Sequence, residues 1–260
     1  MPANDQIPNV PKPTIYLRNR LRVKSGHLQE FFAQKARFLK EVKRLPPATT
    51  GTWNLVAAFA EDPLVDIPRP NATVGVTQIW KLGLWNTLFD SIYAFSESDW
   101  YRALGATIAE EGQELLVNLT SGNDTRPRSP WPGDQPNHAY LYEEAVAEVG
   151  DLHSYLRDLN WFAAQVASDG WKRVWVASQI TARPAVMCVL WEVPKSANVQ
   201  ATLARVAAGK DTRQRYQKMM SLLGEVTRVP GTPTLTERYD DLENAHPTPQ
   251  LALAAAAARP

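Results

Sequence analysis

Two passages of this chain share one pattern. YLRNRLRVKSG at 16–26 runs into HLQEFFAQKARFLKEV at 27–42, and YLYEEAVAEVG at 140–150 runs into DLHSYLRDLNWFAAQV at 151–166. An offset of 124 residues aligns Tyr16 with Tyr140, Leu17 with Leu141, Gly26 with Gly150, Leu28 with Leu152, Phe38 with Phe162 and Val42 with Val166. Leu28, Phe31, Phe32, Phe38, Leu39 and Val42 form an apolar stripe, and Leu152, Tyr155, Leu156, Phe162, Ala163 and Val166 repeat it at the same spacings. Such a stripe marks an amphipathic helix, so one helix is written twice. Internal repetition constrains the fold before any local reading does.

Each helix follows a strand that ends at glycine and precedes two further β-like runs. These are 52–60 and 76–84 in the first copy, and 171–180 and 185–193 in the second. The third strands match as Gln78-Ile79-Trp80-Lys81 against Val189-Leu190-Trp191-Glu192. Helical stretches follow at 86–112 and 197–223, then short strands at 113–119 and 225–229. The order β-α-β-β-α-β is the ferredoxin-like split βαβ unit, an α+β arrangement with both helices on one face of an antiparallel sheet. The bare face needs a cover, and a second copy supplies one. The expectation is two tandem ferredoxin-like units, 13–120 and 138–230, with their sheets packed face to face. A Pro- and Gly-rich linker at 121–137 joins them, and a tail follows at 231–260.

The passage RVKSGHL at 22–28 resembles the Arg-Val-Lys-Pro-Gly-Lys-Leu strand-to-helix junction of the NIPSNAP family, and Ile79-Trp80 resembles its His-Leu-Trp on the third strand. Gln78 stands where that family usually has histidine. The resemblance spans both copies and implies the dimeric α/β-barrel superfamily. That superfamily includes cofactor-free monooxygenases, polyketide cyclases, muconolactone-type isomerases, and haem enzymes such as chlorite dismutase and aldoxime dehydratase. Fold alone therefore does not select a reaction.

Composition removes several classes. With 28 basic and 27 acidic side chains the net charge is +1, too little to track a phosphate backbone, so nucleic acid is not an expected partner. Cys188 is the only cysteine, which rules out an intramolecular disulfide and multi-cysteine metal sites. The histidines show neither HxH nor HExxH spacing, and no metal site is expected. No apolar run is long enough to span a membrane, and the N-terminus lacks the character of a signal peptide, so a cytoplasmic location is the expectation. A homo-oligomer stays open.

Alternation along the first strands selects candidate site residues. Leu17, Asn19, Leu21 and Val23 share a face, as do Leu141, Glu143, Ala145, Ala147 and Val149; these faces should meet the helices. Their polar exceptions, Asn19 and Glu143, are equivalent. A carboxylate among apolar neighbours loses hydration, which suits it to proton transfer, so Glu143 is the candidate acid–base group; pairing with a nearby Arg or Lys, or a place at a wet strand edge, is the structural alternative. Asn19, His27 or Gln78 would orient a carbonyl. Trp80, Trp191 and Tyr155 would wall a flat apolar ligand, although core packing is the better explanation of Trp80 and Trp191. The opposite face, with Arg18, Arg20 and Arg22 against Glu144 and Glu148, should form an inter-sheet ion network.

The expected activity is a cofactor-independent acid–base isomerase, cyclase or lyase, or a monooxygenase, acting on a small apolar, aromatic or polyketide-like molecule. A haem protein and a non-catalytic NIPSNAP-like ligand-binding or interaction module are the alternatives.

Overall fold

The computed structural model describes residues 14–44, 54–61, 72–82, 96–119, 138–179 and 185–234. The expected linker and nearly all of the tail lie outside these residues, as do 86–95 of the first long helical stretch. The first unit contains β1 (Ile15–Lys24), α1 (Leu28–Arg44), β2 (Asn54–Glu61), β3 (Thr73–Leu82), α2 (Asp99–Thr107) and β4 (Ile108–Asn118). The second contains β5 (His138–Ala147), α3 (Leu152–Val166), β6 (Lys172–Gln179), β7 (Ala185–Pro194), α4 (Val199–Ala208), α5 (Arg213–Ser221) and β8 (Leu223–Pro233). Gly26, with φ of 83°, makes the turn from β1 to α1, a left-handed conformation that glycine adopts without strain.

All strand pairs are antiparallel, and the eight strands close into a barrel in the order β1-β3-β2-β8-β5-β7-β6-β4. Each unit contributes four consecutive strands with its first and third strands central. The two sheets face each other and also join at both edges. Phe59–Glu61 of β2 pairs with Gly231–Pro233 of β8, and Leu116–Asn118 of β4 pairs with Ala177–Gln179 of β6. Closure leaves no free edge for pairing with another chain.

The two faces of β1 divide as alternation requires. Tyr16 enters a core shared by both units with Phe59, Tyr140, Tyr142, Trp175 and Leu190, and its ring lies 5.4 Å from that of Trp175 in an edge contact. Leu17, Leu21 and Val23 pack with the helical residues Phe31, Phe32, Phe38 and Leu104. Each sheet is thus covered by helices outside and by the other sheet inside.

Several boundaries differ from expectation, among them β8, which continues to Pro233 into the expected tail and there pairs with β2. The second long helix divides into α4 and α5 at Gly209, whose amide donates to Arg205, and the Thr212 hydroxyl donates to the Val206 carbonyl at 2.6 Å. Glycine is a poor helix interior residue, and the polar GKDT run completes the break. β4 begins at Ile108 rather than 113, because Glu110, Glu111 and Gly112 find register partners in Arg22, Leu21 and Arg20 and continue the antiparallel ladder along β1.

Candidate functional site

The barrel interior holds the arginine network. Arg18 is 0% exposed and donates to the Tyr142 hydroxyl, Glu144 and Glu114; Arg20 also donates to Glu144. Gln179 donates to Glu114 at 2.8 Å. Arg22 instead pairs within its own unit, 3.0 Å from Glu61, and Glu148 is exposed. Cys188 lies beside Arg18, and burial pushes its thiol up to about 12, so it is protonated near neutrality and a poor nucleophile. These groups tie the two units together.

The face between sheet and helices differs between the units. In the second, one continuous core contains Leu141, Tyr155, Leu159, Phe162, Trp171, Val189, Trp191 and Met219. In the first, the core splits into two clusters, one around Phe38 and Trp80 and the other around Phe31 and Val76. Lys35, Asn19 and Gln78 mark the split. Asn19 sits between Leu17 and Leu21 on β1, opposite Gln78 of β3 and Gln113 of β4. Lys35 lies one turn from both Phe31 and Phe38 on α1.

At this split a cavity of about 110 Å³ opens, lined by Lys35, Asn19, Phe38, Trp80 and Tyr101 among others, with Glu111 and Gln113 also on its wall. Lys35 is 7% exposed. Burial drives its amine down to about 8 against a weaker upward pull from Glu111, and the nitrogen lies 5.0 Å from the centroid of the Phe38 ring. Asn19 is 8% exposed and its side-chain oxygen has no hydrogen-bond partner. Gln78, fully buried beside it, has neither amide atom partnered. Burial and Glu111 raise the Tyr101 phenol, keeping it protonated at neutral pH. Unsatisfied polar atoms in a folded interior are rare, and of these two amides Asn19 stands on the cavity wall, where its oxygen suits a polar ligand group.

The equivalent positions of the second unit carry Leu159, Glu143, Val189 and Arg228. Glu143 accepts from Arg228 and, at 2.7 Å, from the Trp191 indole. Its carboxylate is therefore held within the second core and does not reach the cavity. Trp191 and Tyr155 belong to that same core. His27 is exposed at the start of α1, its Nδ1 3.1 Å from Glu30. Of the residues singled out from sequence, Asn19 and Trp80 line the cavity, and Gln78 adjoins Asn19 behind it. Lys35, Tyr101 and Glu111 were not singled out. A signal existed for Lys35: it occupies the position seven residues after Leu28, inside the apolar stripe, where the second copy has leucine.

No protein-family model and no curated protein matches the chain. Solved structures do. A candidate monooxygenase from Fusobacterium nucleatum matches with a TM-score of 0.55 at 9% identity, over 85% of this chain and 92% of that one. An anthrone oxidase-like protein gives 0.50 at 12% identity, covering 85% and 91%. Chlorite dismutase from Candidatus Nitrospira defluvii gives 0.50 at 9% identity, covering 87% and 94%. The chain has the fold of the dimeric α/β barrels. The NIPSNAP resemblance narrows no further than this fold, which is shared with monooxygenase- and chlorite-dismutase-like proteins.

The expectation that no cofactor is involved is corrected by these likenesses. Chlorite dismutases, haem enzymes of the superfamily, share this fold over nearly the whole chain, so the fold gives no ground for expecting a cofactor-free protein.

A haem needs an axial donor and a slot for a flat macrocycle. Among the described residues, the cavity wall carries Lys35 and Tyr101 but neither histidine nor cysteine. Its volume is far below the roughly 300–1,000 Å³ of ordinary ligand pockets. The corresponding space of the second unit is filled by Phe162, Trp171, Trp191 and Met219, while His153 is exposed on α3. The described residues do not fit haem, and no group of three or more His, Cys, Asp or Glu among them could hold a metal ion. No helix among them is long and apolar enough to cross a membrane.

Proposed function

We propose that the chain is a small-molecule enzyme whose site is the cavity of the first unit. Lys35 there exchanges a proton with an enolisable carbonyl compound or a phenol about one ring in size. The observation that supports this reading is a buried lysine in an aromatic cavity beside the unpartnered oxygen of Asn19. An amine titrating near 8 is available in both forms at neutral pH, the condition a general acid–base group needs. The neutral amine takes the proton, and the resulting ammonium offsets the negative charge left on the ligand. Asn19 accepts from a ligand hydroxyl; an amide orients such a group but cannot serve as its base. Trp80 and Phe38 hold the ring.

Isomerisation, cyclisation and elimination can each begin with loss of such a proton. The likeness to an anthrone oxidase-like protein and to candidate monooxygenases supports an aromatic ligand, since a phenolate or carbanion is the electron-rich form that oxygen chemistry attacks. The cavity volume argues for one ring enclosed, because an engineered cavity of about 150 Å³ admits benzene. A polyketide-sized molecule would extend past Glu111 and Gln113, which are exposed.

Deuterium exchange at the acidic carbon of a panel of one-ring ketones tests the reading. Saturable exchange that rises through pH 8 and falls about 100-fold or more in Lys35→Met is expected. Absence of saturable exchange, or equal rates in the variant, contradicts it. Saturable binding without exchange would make the chain a ligand-binding module of the NIPSNAP-like kind. Glu143→Gln is expected to keep exchange within about two-fold of wild type, since its partners hold it outside the cavity; a loss comparable to that of Lys35→Met would return the acid–base role to Glu143.

The chlorite dismutase likeness favours a second reading, a haem protein. Titration with hemin separates the two. The exposed position of His153 predicts that wild type and His153→Ala give the same absorbance spectra. A stoichiometric Soret band lost in the variant would assign His153 as an axial ligand.

A further inference from the structure

We propose that Lys35 acts as a nucleophile, forming an imine with a one-ring or smaller aldehyde or ketone inside the first unit's cavity. The inference rests on reading that cavity as the binding site, and adds a covalent step to it. Lys35 presents an amine into a space whose other walls are mostly apolar: Leu17, Phe38, Trp80, Leu104 and Ile108. A lysine desolvated by such walls has the environment in which amines add to carbonyl carbon. Burial keeps about a tenth of the Lys35 amine neutral at pH 7, far more than an ordinary surface lysine offers.

The balance needs no further reactant. The nitrogen lone pair forms a bond to the carbonyl carbon, and the C=O π pair moves to oxygen, which takes the proton released from nitrogen. The carbinolamine hydroxyl is then protonated from solvent at the mouth beside Glu111 and leaves as water. The nitrogen loses its remaining proton, so amine and carbonyl compound give imine and water. The orphaned side-chain oxygen of Asn19, 8% exposed, is placed to accept from the carbinolamine hydroxyl. The second unit cannot do this chemistry, because Leu159 replaces the lysine and the ion pair of Glu143 with Arg228 stands where the amides are.

Benzaldehyde with sodium cyanoborohydride, applied to the full chain at pH 7.5, reduces any imine to a stable benzylamine that peptide mass mapping locates. Phenol, which can fill the cavity without forming an imine, serves as competitor, and its own binding is read by tryptophan fluorescence. One benzyl group on Lys35 is expected, added at least about tenfold faster than at any other lysine, slowed by phenol and missing in Lys35→Met. Labelling spread evenly over surface lysines overturns the inference. Saturable phenol binding with Lys35 unlabelled overturns the imine alone and leaves the cavity as the site. Absence of both phenol binding and Lys35 labelling overturns the imine and the site together.

Discussion

Lys35→Met is expected to strengthen the fold while silencing the cavity. The amine has an ordinary value of 10.5 and is driven down to about 8 in the folded chain by burial. Below pH 8 both states hold the proton, and the folded state bears the full penalty of the buried charge. Between pH 8 and 10.5 the unfolded chain binds more protons than the folded one, so stability climbs with pH; above that range the penalty is gone. A shift of this size corresponds to about 3 kcal/mol. Methionine has similar length and no charge, and its introduction forfeits the contact of the ammonium with Phe38, worth roughly 1 kcal/mol. The net gain at pH 7 is about 2 kcal/mol, read as a higher urea midpoint, and the climb between pH 8 and 10 should flatten. A variant no more stable than wild type, with the same pH dependence, would contradict a buried charge at this position.

Arg18→Met should have the opposite effect, and a larger one. The guanidinium is completely buried and bridges Glu114 of the first unit to Glu144 and Tyr142 of the second. Removing one partner of a buried charge cluster leaves the others uncompensated, a loss of about 3–5 kcal/mol. Here the carboxylates keep some solvent, Glu114 being 32% and Glu144 25% exposed, and Arg20 still reaches both. A loss of about 3 kcal/mol is therefore expected. Because the cluster spans the units, their transitions should remain coincident in wild type and separate in the variant. A change below about 1 kcal/mol would show that the interior aromatic core alone holds the barrel together.

The repeat made the architecture legible. The offset that pairs Tyr16 with Tyr140 also pairs β1 with β5 and α1 with α3, the later strands follow in the same order at shorter offsets, and the arginine row against Glu144 pointed to the inner face of the sheets. Edge closure was not legible, because it depends on short pairings, Phe59 with Pro233 and Leu116 with Gln179, that no periodicity encodes. The site was half legible. Asn19 and Trp80 came from alternation and from matched third strands. Glu143 drew attention because it interrupts an apolar face, but its partner Arg228 is 85 residues away and appears only through strand register. Lys35 was passed over because a lysine on a helix reads as solvated surface; only its place within the stripe, matched by Leu159, marks it as buried.

The titration of Lys35 tests the central claim most directly. With lysine Cε labelled by carbon-13 and Lys35→Met used for assignment, the Lys35 resonance in the full chain should titrate near pH 8 and move on adding phenol. A Lys35 midpoint at the ordinary value, insensitive to phenol, would place the amine in solvent and contradict the site.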